Sequence, residues 1–260
     1  QASSAKKGGQ ADLFIRTNGK GVLSLHAWHQ DAGRNFAPVM SYMGPPRKEN
    51  QYNRTSRLAG KWKYYGENLI SKFSAGFSAN ELSYFLGMDE SGITIYQSLS
   101  NSINFQAQYQ AEKDISSSTK LKALGQFSYS KANYEDLKNE TGFDAKRPET
   151  GISISLHHEF GFPLAIYTLL RNDFYGDELS PLMPAAGLEY SPRTFPGVSF
   201  KTNVSRNFNY PDLNDLYWVP GGNPDLKPEE GYSSDFSVNY KAGINQHELH
   251  SSITAYYSTI

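Results

Sequence analysis

Cysteine is absent from this 260-residue chain, which excludes disulfides, thiolate zinc sites, iron–sulfur ligation and cysteine nucleophiles. Long apolar runs are also missing, because the best stretch, from Phe160 to Leu170, is about half of the ~18 residues that a membrane helix needs. Neither charge sign is in excess: 25 Lys and Arg face 26 Asp and Glu, for a net charge of −1. That balance argues against a nucleic-acid-binding protein. A membrane β-barrel stays open, because its strands alternate instead of forming one apolar run.

Aromatic residues make up 14% of the chain and charged residues only 20%, a mixture that favours pleated strands. Apolar and polar residues alternate with period 2 along most of the sequence. In the segment 232–242, the even positions are mostly apolar and the odd positions are polar or charged. Equivalent stretches lie near 10–16, 21–30, 57–65, 68–80, 102–111, 119–135, 151–160, 163–174, 184–191, 197–205 and 247–258. The pattern predicts an all-β protein with about twelve strands and no helix.

The connections between these stretches alternate between short and long. The short ones carry turn residues such as Asn18-Gly19, Gly66-Glu67 and Pro196-Gly197, as tight hairpins require. The long ones are predicted at 31–56, 81–99, 136–149, 175–183 and 207–230. Tight turns at one end of the sheet and long loops at the other are typical of an antiparallel up-and-down transmembrane β-barrel. A soluble sandwich or propeller with the same alternation remains open at this point.

The longest of these connections, 207–230, has its own chemistry. Its prolines restrict φ and remove backbone donors, so we expect a loop that is ordered without helix or ladder. Gly221-Gly222 permits a turn with positive φ, and Asn223-Pro224-Asp225 is turn chemistry. Tyr217 and Trp218 are aromatic residues that we expect to be exposed within this loop.

The segment 204–230 resembles the late-barrel signature of TonB-dependent outer-membrane receptors. In that family an aromatic–Arg–Ala–Pro segment leads into Leu-x-Glu/Asp-Leu-Tyr, and the chain returns through Gly-Asn-Pro-x-Leu-x-Pro-Glu. Two positions depart, since Asn209 stands where Arg is usual and Tyr210 where a small residue is usual. The segment from Trp28 to Met40 resembles an early-barrel loop of the same family. The matches in the later segment are Phe208, Pro211, Leu213, Asp215, Leu216, Tyr217, Gly222, Asn223, Pro224, Leu226, Pro228 and Glu229.

The resemblance implies a 22-stranded barrel in the bacterial outer membrane, filled by an N-terminal plug, with turns in the periplasm and loops outside. Residues 1–260 are then expected to be a partial barrel domain, its central part, without the plug. The implied function is active uptake of a scarce nutrient, of the ferric siderophore or cobalamin class. The implied partners are the TonB complex, reached through the plug that is absent here, the nutrient, and outer-membrane lipid with lipopolysaccharide.

Within this resemblance we assign ligand contact to Tyr210, Tyr217 and Trp218 in the external loop. The remaining motif positions are expected to fix loop shape and strand re-entry: Phe208, Pro211, Leu213, Leu216, Gly222, Asn223, Pro224, Leu226, Pro228 and Glu229. The basic residues Arg47, Lys48 and Arg54 are predicted in another long loop, where they could meet lipopolysaccharide phosphate or stay solvated.

The sequence predicts no catalytic residue, metal site or cofactor. Two histidine pairs, His26/His29 and His247/His250, have i,i+3 spacing, which places the two members on opposite faces of a strand. No phosphate loop, dinucleotide fingerprint or nucleophile elbow occurs. The alternatives are a complete 12-stranded porin or autotransporter translocator, a 12-stranded outer-membrane lipase, and a soluble β adhesion module.

Overall fold

A computed structural model describes residues 2–17, 19–37, 47–88, 93–219, 221–244 and 247–260. Asn18, Asn245 and Pro220, together with positions 38–40 of the early-barrel motif, lie outside the described residues. Twelve long strands and one two-residue strand follow each other along the chain: β1 Ser3–Thr17, β2 Gly21–Asn35, β3 Arg47–Tyr65, β4 Leu69–Met88, β5 Thr94–Ser116, β6 Thr119–Asp136, β7 Thr141–Glu159, β8 Leu164–Tyr175, β9 Glu178–Leu179, β10 Met183–Tyr190, β11 Val198–Asn209, β12 Glu229–Ile244 and β13 His247–Thr259.

All thirteen strands belong to one antiparallel sheet in which chain neighbours pair, except that β8 also pairs with β10 past the short β9. A sandwich needs a second sheet to cover the apolar face of the first. The described residues provide no second layer, and their buried apolar side chains are few: Ala32, Tyr134, Ala145, Met183 and Leu216. The sandwich and propeller alternatives are therefore wrong for this part of the chain.

The register divides the sheet into an apolar and a polar face. Directly paired residues share a face, and one paired row across β1–β5 reads Ile15, Leu23, Trp62, Phe73 and Tyr109. The adjacent row on the other face reads Ser24, Lys61, Ser74, Gln108 and Gln126. A single layer with one apolar face is stable against lipid, whereas a broad exposed apolar surface is unfavourable in water.

Strand β11 has the predicted orientation. Phe200 pairs with Tyr190 and Val238 on the apolar face. On the polar face, the Lys201 Nζ lies 3.1 Å from a carboxylate oxygen of Glu189, and the Asn203 side chain donates to Asp235 at 3.1 Å. We call the apolar face outward and the polar face inward.

The predicted long connections are mostly shorter than expected, because the strands continue past the alternating segments. Strand β4 has 20 residues and β5 has 23, whereas about 9–11 residues suffice to span a membrane. The predicted loops at 81–99 and 136–149 were wrong: β4 runs to Met88, β5 starts at Thr94, and only 137–140 separates β6 from β7. Strand extensions beyond a membrane are wet on both faces, so they lose the apolar alternation on which the prediction depends.

The expectation of a chain without helix also needs correction. A five-residue helix, α1 Leu213–Tyr217, lies in the 210–228 loop, just after Pro211. Proline is tolerated before or at a helix start, where its missing N–H has no intrahelical role. No helix among the described residues is long and apolar enough to cross a membrane.

Candidate functional site: an aromatic rim at the loop end

The wall formed by the sheet has an uneven height at the loop end. Strands β3 to β7 each have 18 to 23 residues, whereas β8 and β11 have 12 and β10 has 8. The loop that joins β11 to β12 leans over this lower part of the wall and reaches β6 and β7 on its far side. Because neighbouring strands are ~4.8 Å apart, it crosses roughly 19 Å of wall.

Local hydrogen bonds give this loop a defined shape. The Leu216 N–H donates to the Asp212 carbonyl at 3.1 Å, and the Leu216 side chain is buried with 6% of its surface exposed. The Asn223 N–H donates to the Asp215 carbonyl at 2.9 Å, and the Asn223 side-chain oxygen accepts from the Asp225 N–H at 3.0 Å. The returning segment is therefore tied to the helix at one end and closed by an Asn turn at the other.

Gly222 is required by close backbone packing within the loop. A Cβ at this position would lie 2.5 Å from the Trp218 nitrogen and 2.7 Å from the Trp218 oxygen. Any side chain would push the returning segment away from the helix end, which explains a glycine here.

Five aromatic side chains meet where the loop reaches the wall. The Trp218 ring lies 4.4 Å from the Tyr134 ring, and Tyr134 in turn contacts Phe143 at 6.2 Å between ring centroids. The Tyr96 hydroxyl is hydrogen-bonded to that of Tyr134, and the Tyr96 ring lies 5.7 Å from the Tyr84 ring. We call this set the rim cluster: Tyr84, Tyr96, Tyr134, Phe143 and Trp218.

The polar end of the rim cluster is an acid–phenol contact. The Tyr84 hydroxyl donates to a Glu49 carboxylate oxygen at 2.8 Å. Tyr84 stands well past the apolar belt of β4, and burial together with this hydrogen bond raises its pKa to about 12. The phenol therefore stays protonated at physiological pH and remains a donor. The rim offers flat aromatic faces with a few fixed polar atoms, which suits an extended organic ligand.

A guanidinium anchors the base of the loop. Arg147 on β7 donates through Nη1 to the Pro211 carbonyl at 2.6 Å and through Nε to Glu149 at 2.8 Å, and its side chain is 12% exposed. It also lies 5.1 Å from the centroid of the Tyr210 ring, which stacks on Tyr175 at 5.1 Å. The loop is thus fixed to the wall by a charge-assisted hydrogen bond and by stacking.

The protein-family model described as "TonB dependent receptor-like, beta-barrel" matches residues 12–260. The chain belongs to this family. As a barrel domain of this family, the chain lies in the bacterial outer membrane. Its transmembrane strands, outward apolar face and inward polar face are those expected from the sequence.

Solved receptors share the fold of this barrel chain at low sequence identity. The hemophore receptor HasR of Serratia marcescens, in complex with hemophore HasA and heme, superposes with a TM-score of 0.76 at 12% identity, over 97% of this chain and 45% of HasR. A mutant of the ferric enterobactin receptor PfeA of Pseudomonas aeruginosa gives a TM-score of 0.76 at 12% identity, over 98% of this chain and 42% of PfeA. The chain therefore spans less than half the length of these receptors.

The chain also has a local sequence similarity to a curated relative. The vitamin B12 transporter BtuB of Photobacterium profundum is 41% identical over 63 residues, which is 24% of this chain and 10% of that transporter.

The structure places the three predicted ligand residues in different surroundings. Tyr210 is half-buried under Arg147, whereas Tyr217 and Trp218 are 41% and 38% exposed at the end of α1. Of these, Trp218 belongs to the rim cluster, and ligand contact by all three stays a prediction. The other motif residues lie around the loop base, the helix and the return to β12: Phe208, Pro211, Leu213, Leu216, Gly222, Asn223, Pro224, Leu226, Pro228 and Glu229.

Sequence reasoning missed most of the rim of the receptor barrel. Tyr84, Tyr96, Phe143 and Arg147 fall in segments that were predicted as loops. The segment 143–149 carries no period-2 signal, because Phe143 and Ala145 share a face with the charged Arg147 and Glu149. Asn209 stands where the family to which this chain is similar usually has Arg. In this chain the guanidinium that contacts the loop belongs to Arg147.

The predicted basic loop is part of a strand. Arg47, Lys48 and Arg54 all lie on β3. Arg54 faces outward and donates through Nε to Asp31 at 3.1 Å, with the Glu81 carboxylate 3.5 Å from its Nη1. Its charge is therefore balanced within the wall above the apolar belt.

His26 and His29 lie on opposite faces of β2, as their spacing predicts. His26 contacts Asp12 on the inward face at 2.6 Å, whereas His29 contacts Ser56 on the outward face at 2.8 Å. Among the described residues, no group of three or more His, Asp or Glu is arranged to hold a metal ion.

Proposed function

We propose that this chain is a partial barrel domain of a TonB-dependent receptor that takes up a scarce nutrient of the ferric siderophore or cobalamin class. The observation that carries the proposal is the rim cluster: the 210–228 loop holds Trp218 against Tyr134 at the loop end of the barrel. Relatives and structural neighbours named for vitamin B12, heme and ferric enterobactin support a nutrient of this kind.

The ligand residues in this proposal are Tyr210, Tyr217 and Trp218. Tyr217 and Trp218 present aromatic surface to the outside, and Tyr210 sits at the base of the same loop. Aromatic faces bind organic ligands through area burial and stacking without requiring one exact orientation. The buried Tyr134 supports the Trp218 ring, and contacts continue from it through Tyr96 to Tyr84 along the wall.

The proposal includes energy supply by the TonB complex through a plug domain. The inward face supports this arrangement, because its rows are rich in Ser, Gln and charged residues and can pack against a polar domain with hydrogen bonds. Two buried or half-buried ion pairs stiffen that face below the rim, Arg147 with Glu149 and Arg171 with Asp173 at 2.8 Å.

A binding assay on the full-length receptor tests the ligand site. We expect one member of a panel of ferric siderophores and cyanocobalamin to bind, and Trp218→Ala to weaken that binding about tenfold, since aromatic contacts contribute ~0.5–1.5 kcal/mol beyond area burial. Tyr217→Ala should lower affinity in the same direction. Isothermal titration calorimetry measures both effects.

Phe195→Ala is the matched control, because Phe195 is an exposed aromatic residue at the opposite, turn end of the wall. It should leave the affinity unchanged. Wild-type affinity in both Trp218→Ala and Tyr217→Ala would contradict the site, and failure of the whole panel to bind would contradict the nutrient class.

A further inference from the structure

A groove on the outward face is not used by the proposed uptake function. It has a volume of about 780 Å³ and crosses the sheet around β10, the shortest of the long strands. Its floor is one paired row that consists of Thr168, Ala186, Val204 and Ser234. Leu156 and Tyr257 close the row at its two ends. Small residues between bulky ones make a trough in a surface that otherwise faces lipid.

The lining of the groove is apolar apart from a few hydroxyl groups and one cation. Arg206 lies on the same outward face, opposite Tyr232 and at the loop side of the groove. Its Nη2 donates to a Glu230 carboxylate oxygen at 2.8 Å. Its Nε is buried and has no hydrogen-bond partner among the described residues, so an incoming anion would meet the terminal nitrogens. Arginine carries five N–H donors, so Glu230 leaves others for a second anion.

The depth of Arg206 identifies the level of the membrane. It stands about nine residues along β11 from Val198, close to the ~9–11 residues with which a tilted strand crosses the hydrocarbon core. The guanidinium is therefore at the external headgroup level, and the groove beneath it lies in the outer leaflet.

We propose that this groove binds lipopolysaccharide, with an acyl chain along the Ala186 floor and a lipid A phosphate on Arg206. The occupant must combine an apolar chain with an anionic head at the external interface, and lipopolysaccharide is the anionic lipid of that leaflet. Planar guanidinium groups bind phosphate oxygens in a bidentate manner. The Glu230 contact holds the guanidinium in place between the two anions.

Native mass spectrometry of the full-length receptor, delipidated and titrated with purified lipopolysaccharide, tests the proposal. Ala186→Trp fills the floor and Arg206→Gln removes the cation, and each should lower the affinity for lipopolysaccharide about tenfold. Ala107→Trp is the control, because Ala107 also faces outward but lies on β5, away from the groove. It should bind as the wild type does. A shift in heat-modifiable gel mobility verifies that each variant is folded.

Two results would overturn the proposal. One is an affinity of Arg206→Gln for lipopolysaccharide equal to that of the wild type. The Arg206→Gln variant keeps the groove, and we expect it to fold even if Ala186→Trp does not. The other is a titration with phosphatidylglycerol that matches lipopolysaccharide in affinity and in its loss on Arg206→Gln, which would assign the groove to phospholipid. Both outcomes leave the nutrient site at the loop end unaffected.

Discussion

Phe200→Arg in the full-length receptor should lower the free energy of unfolding in a bilayer by about 2 kcal/mol, because an arginine on the lipid face costs about 2–4 kcal/mol at mid-membrane and less toward an interface. Phe200 faces outward in the part of the apolar belt nearer the turns, two residues along β11 from Val198, and pairs with Tyr190 and Val238. Its ring stacks on Phe236 with centroids 6.2 Å apart. Arginine there must be desolvated or bend toward an interface, and the aromatic contact is lost as well.

Asn203→Arg on the same strand is the matched control. Asn203 points inward and bonds to Asp235, so an arginine there enters a wet, acidic surrounding and should cost little. Urea titrations of the receptor refolded into lipid vesicles measure both variants. Damage by Asn203→Arg with tolerance of Phe200→Arg would mean that the register is shifted by one residue, because such a slip reverses every side chain.

Arg147→Ala should release the 210–228 loop from the wall and lower the affinity for the nutrient about tenfold. The variant loses a charge-assisted hydrogen bond to Pro211, of a kind that contributes ~1.5–3 kcal/mol, together with the contact to the Tyr210 ring. Glu149 is left half-buried without its cation, and the Ser128 hydroxyl still donates to it at 3.2 Å. The loop should then become a preferred site of limited proteolysis, which mass spectrometry of the fragments locates.

Two companions separate anchoring from charge. Arg147→Lys keeps the charge but not the planar fork, so it should recover only part of the protection. Lys201→Ala removes a different inward ion pair, the one with Glu189, and should leave loop and affinity unchanged. Equal proteolysis of Arg147→Ala and wild type would show that the loop is held by other contacts.

The membrane-spanning half of each strand could be predicted from the sequence, and the external half could not. In β11 the alternation of Val198, Phe200 and Thr202 with Ser199, Lys201 and Asn203 reflects lipid on one side and water on the other. In the extension of β4 near Tyr84 both sides meet water or protein, so residue choice no longer follows a period of two. Backbone pairing with β5 sustains the strand there.

The candidate site likewise has a part that could be predicted from the sequence and a part that could not. The resemblance carried by 208–229 located the loop and its exposed Trp218, because turn and helix-end chemistry is local in sequence. The partners of the loop are distant: Arg147 is 64 residues from Pro211, and Tyr134 lies on another strand. The short strands β8, β10 and β11 make the wall low beside the loop. Only this difference in strand length lets the loop reach Arg147 and Tyr134.

Cysteine accessibility in intact cells tests the central claim, that this sheet spans the outer membrane with its loop end outside. Single cysteines at Lys138 and Asp225 sit in the loops after β6 and α1, whereas Ser117 and Arg193 sit in turns at the opposite end. All four are exposed, so the membrane alone decides their access to an impermeant maleimide. The account predicts labelling at Lys138 and Asp225 and none at Ser117 and Arg193 until the cells are permeabilised. Labelling of Ser117 and Arg193 with silence at Lys138 and Asp225 would invert the topology, and labelling of all four would contradict a membrane-spanning wall.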